Sequence, residues 1–415
     1  MALPKLTLPI LFSAVIIFGC RTSESGKNSA PALQQLESPA ATKSQTPNLF
    51  AAADGKIYLS WIEALGEDHH ALKFSVMEKN GWTDARTIAH GDNWFVNWAD
   101  FSSLSVLNNG ALAAHWLAMT GDEKYAYAVN ISFSPDAGNS WKAPIVPHTD
   151  GTPTEHGFVS LLPWENDRAL AAWLDGRAMW SKSQKHGENN EHGFMSLRSA
   201  MIDMEGNLYN EAMLDERVCD CCQTGAGLTS HGALVAYRDR SEKEMRDISI
   251  VRFENGKWSQ PETLFNDGWE INGCPVNGPS VATRGNEVAI AWYTEANDTS
   301  KVKVIFSRDG GKTFGQPIRV DDGDPMGRVS VILLSTGEAL VCWMEMIESN
   351  AEVRIRRVRP DGNVGKSITV TPTSATRASG FPRLAHNGDE LVFAWTKLED
   401  ERSVHTAKMK LSTLP

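Results

Sequence analysis

Four of the six cysteines gather in two short stretches, Cys219-Asp220-Cys221-Cys222 and Cys274-Pro275. Clustered thiols offer three kinds of chemistry. They close disulfides, the default for a protein exported to an oxidising compartment. They bind a soft ion such as Zn or Cu(I) as thiolates. They act as redox-active thiols. Four cysteines allow three pairings, and the adjacent pair Cys221-Cys222 makes one of them strained. The spacing is not the C-x-x-C pair of zinc modules, so structural disulfides lead, metal follows and no cofactor is required. Cys342, mid-strand in Leu340-Val341-Cys342-Trp343, reads as a buried inert thiol. His69-His70 and the pair His186 and His192 lie in polar loops and read as solvated rather than metal-binding.

A second set suits recognition of an acidic or glycan ligand. Arginine forks hold carboxylates in two-pronged fashion, and aromatics and carboxylates complete such sites. The candidates are Trp98, Asp100, Glu155, Asp175, Arg177, Arg240, Tyr293, Glu295 and Arg328. The same residues can also pair with one another as rim salt bridges, which contribute little. They are far apart in the chain, so a fold must collect them.

That fold is legible as a repeat. Seven units each open with a short strand, a Gly- or Asn-containing turn and a strand ending in an aromatic. The closing aromatics are Trp61, Trp116, Trp173, Tyr237, Trp292, Trp343 and Trp395. After each comes a polar loop and a second strand pair around turns such as Asn80-Gly81 and Asn255-Gly256. Four strands per unit of about 50 residues is the arithmetic of a β-propeller blade. The expectation is an all-β domain over residues 46–415 with seven four-stranded blades. The last unit shows three strands, so its fourth is expected from the N-terminal side, within Pro31–Ser38. Loops into each blade and loops joining its second and third strands then share one face, which collects the candidates. The insertion from Ala178 to Gly193 reads as a lid or partner loop on that face.

Two of the second turns are more specific. Ser134-Pro135-Asp136-Ala137-Gly138-Asn139-Ser140-Trp141 and Ser307-Arg308-Asp309-Gly310-Gly311-Lys312-Thr313-Phe314 fit S-x-D-x-G-x-[ST]-[WF]. This resembles the Asp box, or BNR repeat, of sialidase-like propellers, and the resemblance reaches the whole domain in architecture. It implies a structural role for the boxes, on the face opposite the ligand site, and offers six blades as an alternative count. It also implies an exo-sialidase-like glycoside hydrolase, with Tyr293 as nucleophile assisted by Glu295, and Asp175 or Asp100 as acid. Arg177, Arg240 and Arg328 would clamp a carboxylate beside Trp98. The Arg-Ile-Pro motif of true sialidases is absent. A non-catalytic scaffold for envelope proteins is the alternative function, and a thiol or metal site at the cysteines a third.

Composition narrows the partners. With 40 Lys and Arg against 51 Asp and Glu, the formal charge is −11. That argues against nucleic acid, which needs a basic surface. Residues 1–20 carry Lys5, an apolar stretch from Leu6 to Phe18, and Ile17-Phe18-Gly19-Cys20. This resembles a lipoprotein signal with its lipobox, in which Cys20 is acylated after cleavage. Arg21, rather than Asp, implies the outer membrane, with the lipid as the sole membrane contact. Residues 21–45 are rich in Ser, Ala, Gln and Lys and read as a disordered tether.

Overall fold

The computed structural model describes residues 1–2, 33–183 and 193–415. The signal segment, Cys20 and most of the insertion with His186 and His192 lie outside the described residues. No described helix is long and apolar enough to cross a membrane.

Seven antiparallel sheets follow one another along the chain, as the seven-unit repeat requires. Blade one holds Ser44–Ala51, Ile57–Ala64, His70–Glu78 and Arg86–Gly91. Blade two holds Ser103–Val106, Leu112–Met119 and Tyr127–Ser134, and Ile145 stands in for a fourth strand by bridging Ile131. Blade three runs His156–Trp164, Arg168–Asp175, Met195–Ile202 and Leu208–Val218. Blade four runs Gly225–Thr229, Gly232–Arg238 and Ile248–Glu254, with two short outer pieces. Blade five is Ser280–Arg284, Glu287–Thr294, Lys301–Ser307 and Ile318–Arg319, and blade six is Pro325–Leu333, Ala339–Ile347, Asn350–Val358 and Ile368–Thr373. Blade seven takes Arg383–Asn387, Glu390–Leu398 and Arg402–Lys410 from the C-terminal end. Its outermost strand is Gln34–Leu36, paired antiparallel with Lys408, Ala407 and Thr406. The segment read as a disordered tether therefore already contributes a strand.

The closing aromatics explain why the blades pack. Trp61, Trp173 and Trp343 are fully inaccessible, and Trp116, Tyr237, Trp292 and Trp395 are buried. Removing one indole from water contributes about 5 kcal/mol by area, as an upper bound. Each sits between neighbouring sheets; Trp173 of blade three packs with Leu117 and Val129 of blade two. An indole N–H buried this way needs an acceptor. In blades one, three and six it finds a carboxylate two residues on, as Trp61 to Glu63, Trp173 to Asp175 and Trp343 to Glu345.

The turns Ser134–Trp141 and Ser307–Phe314 share one hydrogen-bond pattern. Asp136 accepts from the Ser140 amide and hydroxyl and from Ser134, and Asp309 does the same with Thr313 and Ser307. Those bonds hold both carboxyls well below the usual range. Both turns follow the C-terminal ends of third strands, opposite the end where Tyr127 begins its strand.

Candidate functional site

The inner strands start at the top mouth of the central tunnel, and residues within or just before their first turn of chain are bent. Thr46, Phe158, Val276 and Arg328 have φ of 53, 54, 50 and 52°, the left-handed region that non-glycine residues avoid. Ladder register breaks at three of these places, between Gln45 and Asn48, Gly157 and Ser160, and Gly327 and Ser330. These are bulges, which re-aim side chains beside functional sites. Below the mouth the tunnel is walled largely by apolar side chains and backbone, with a cavity of about 270 Å³ among Phe50, Phe101, Leu104, Leu161 and Phe381.

The mouth itself is plugged. Arg328 is buried and directs Nη1 to the carbonyls of Thr376 and Gly380 and to Ser379 Oγ, at 3.2, 3.0 and 2.8 Å. Its guanidinium also lies 4.9 Å from the centre of the Trp98 ring, which stacks on Phe381. Burial pushes the Arg328 pKa down to about 10. Arg328 and Trp98 thus meet at the mouth, with Nη1 of Arg328 held by protein oxygens.

The other expected residues disperse. Asp175 is inaccessible and accepts from Trp173 and, through both oxygens, from Arg177. It repeats the indole-to-carboxylate contact of Glu63 and Glu345 and adds an ion pair with Arg177. Arg177 also reaches Asp150, which contacts the stacked pair His148 and His156. Arg240 is held by Asp220 and Glu244. The three arginines share no partner. Tyr293 and Glu295 do meet, but burial raises the phenol pKa, the wrong direction for a nucleophile. Its hydroxyl also contacts Ser300 at 3.0 Å.

Two clusters remain on the rim, over blades two to five. The first is acidic. The Tyr127 hydroxyl stands 3.0 Å from Asp100 Oδ2 and 2.7 Å from Glu155 Oε1. Asp100 also accepts the Phe158 amide at 2.7 Å, presented by the bulge. A Cβ at Gly157 would lie 2.0 Å from Asp100 Oδ2, so only glycine admits this approach. Burial pushes Asp100 up to about 7 and Glu155 up to about 8. The negative charges of Asp100, Asp220 and Cys274 reinforce the rise at Glu155. Asp100 and Tyr127 are sealed, whereas Glu155 is half-buried and faces the rim. Asp100 and Glu155 belonged to the expected face; Tyr127 did not. The available signal was its position, first in a third strand, at the end where that face begins.

The second cluster is the cysteines. Cys219, Cys221, Cys222 and Cys274 are free thiols, not the disulfides expected. Cys219 Sγ lies 3.4 Å from Cys222 Sγ and 4.0 Å from Cys221 Sγ. Cys274 contacts Cys221. The contact with Cys221 is the first cause that holds Cys219 well below the usual thiol range, and the same contact pushes Cys221 up. Buried Arg246 donates to Cys219 Sγ at 3.1 Å. Cys342 is buried elsewhere and pushed up to about 12, the inert thiol expected. Between the clusters, Arg217 and Arg240 flank the Phe194 ring at 3.8 and 5.3 Å.

No protein-family model matches the chain. No curated protein matches it either. Solved structures do. The polysaccharide lyase Uly1 is 7% identical, covers 94% of each chain and has a TM-score of 0.52. A variant of the α-L-arabinofuranosidase Arb93A from Fusarium graminearum, with an iminosugar inhibitor, is 12% identical over 93% of this chain and 99% of that one, at 0.50. The NanB sialidase of Streptococcus pneumoniae is 10% identical over 93% of each, at 0.46. At these identities the likeness is one of fold: an all-β propeller of seven blades, as the repeats implied.

Proposed function

We propose that this chain is a lipid-anchored propeller of the bacterial envelope that binds and hydrolyses an acidic glycan at its top rim, with Glu155 as proton donor. The observation that carries the reading is the Tyr127 hydroxyl shared by two carboxyls. One phenol proton cannot serve both, so one carboxyl keeps its own. A rim carboxyl kept protonated at neutral pH is what glycosidic cleavage needs to protonate a leaving oxygen. Arg177, Arg217 and Arg240 are each partly exposed, and Arg217 and Arg240 flank the same Phe194 ring; such guanidinium groups suit the carboxylates of an acidic sugar. The names of the lyase and the arabinofuranosidase of like fold support a carbohydrate ligand. The lipobox-like Ile17–Cys20 supports anchoring at Cys20.

The test is a screen of the purified protein against uronate- and sialate-bearing oligosaccharides, with neutral arabinan alongside. Wild type should bind and cleave an acidic class, and Glu155→Gln should bind it without cleaving. Absence of binding to any acidic glycan, or full cleavage by Glu155→Gln, sinks the reading. Radiolabelled palmitate incorporation, lost in Cys20→Ser, tests the anchor.

A further inference from the structure

The thiol cluster carries an inference independent of any glycan. Among the described residues, Cys219, Cys221 and Cys222 form a group whose sulfurs all lie within 4.8 Å of one another, and no imidazole or carboxylate joins them. Three sulfurs in a plane around one ion, through bonds of about 2.3 Å, stand roughly 4.0 Å apart; Cys219 and Cys221 are at that spacing, and Cys219 and Cys222 are closer at 3.4 Å. The loop is held before any ion arrives. The Cys219 amide donates to the Arg238 carbonyl. The buried Arg238 guanidinium in turn donates to the carbonyls of Asn277, Tyr293 and Arg246. Arg246 then aims Nη1 at Cys219 Sγ, a cation placed where thiolate charge would gather.

We propose that Cys219, Cys221 and Cys222 form a three-thiolate site for Cu(I), with exposed Cys274 beside Cys221 as the sulfur through which the ion enters. The ion is chosen by donor type and number. An all-sulfur set selects soft cations. Structural zinc almost always takes four protein ligands, whereas the mutually close set here has three members and the fourth sulfur lies near one of them. Three thiolates on a monovalent ion leave net negative charge, which Arg246 offsets.

The experiment uses the full chain, purified without oxygen and titrated with Cu(I) against a coloured Cu(I) chelator. Expected are one Cu(I) per chain drawn from the chelator and only sulfur neighbours in X-ray absorption. Cys219→Ser and Cys222→Ser should lose the ion, Cys274→Ser should keep it but load more slowly, and Arg246→Met should weaken it about tenfold. Wild-type competition and absorption need no variant, so a misfolded mutant does not blunt the test. Copper left with the chelator overturns the proposal. So does a metal-free mass four hydrogens short, or preference for zinc with four sulfurs.

Discussion

Glu155 Oε1 lies 2.7 Å from the hydroxyl of Tyr127, a residue with no solvent exposure at all. A carboxyl at the rim is thereby tied to the interior of blade two, and burial is the first cause of its raised pKa.

If Glu155 donates a proton in catalysis, turnover should fall as pH rises through about 8, where that carboxyl ionises. Glu155→Gln should lower kcat by about 10²–10⁴-fold with little change in binding. Tyr127→Phe should move the alkaline limb of the kcat profile while leaving some turnover. A limb that stays put in both variants would remove Glu155 from the chemistry.

The same pair predicts how stability varies with pH. Asp100 and Glu155 are raised from 3.8 and 4.5 to about 7 and 8. Within that window the native chain holds protons that the unfolded chain has released. Stability from these groups is therefore present in full at the acid end and is lost as pH rises towards 8. The fall in Tm between pH 5 and pH 8 should be smaller in Asp100→Asn than in wild type. Equal falls would contradict the assignment.

Gly138 should tolerate no side chain. Its φ is +88°, and a Cβ there would lie 2.3 Å from Phe74 Cζ across the blade boundary. Gly138→Ala should cost about 2 kcal/mol from strain and overpacking, read as a lower Tm. Copper loading should be unchanged, because the turn lies at the opposite end of the strands.

Arg328→Ala separates a clamp from a plug. If the bonds of Nη1 to Thr376, Ser379 and Gly380 are its whole role, removal should lower Tm and leave KM for an acidic ligand unchanged. A raised KM at unchanged Tm would restore Arg328 as a ligand residue.

The architecture was readable because it repeats. Trp61, Trp173 and Trp343 recur at the same place in their units, and burial of each forces the same sheet packing. The local turns around Asp136 and Asp309 were equally readable, since the bonds close within eight residues. The site was less so. Asp100, Tyr127 and Glu155 come from three separate segments, and nothing in their spacing records that both carboxyls meet one hydroxyl. Asp175 misled for the opposite reason. A carboxylate beside arginine looks reactive in sequence, yet the indole two residues before it had already fixed its use. The free state of the cysteines likewise depends on how two loops approach, which spacing does not determine.

The ring is fastened by three residue pairs, Gln34 with Lys408, Gln35 with Ala407 and Leu36 with Thr406, helped by Ser38 Oγ donating to the Val404 carbonyl at 2.6 Å. Gln34–Leu36 is also the strand nearest the chain's N-terminal segment. Tension applied through that segment therefore reaches this clasp before any inner strand. Antiparallel pairs loaded from the end separate in succession, so the clasp would peel at modest force while the tunnel mouth keeps its shape. What it would leave behind is the bare edge of Arg402–Lys410, open to pairing with another strand. Loss of the three-residue clasp would thus exchange a closed blade for an unpaired edge.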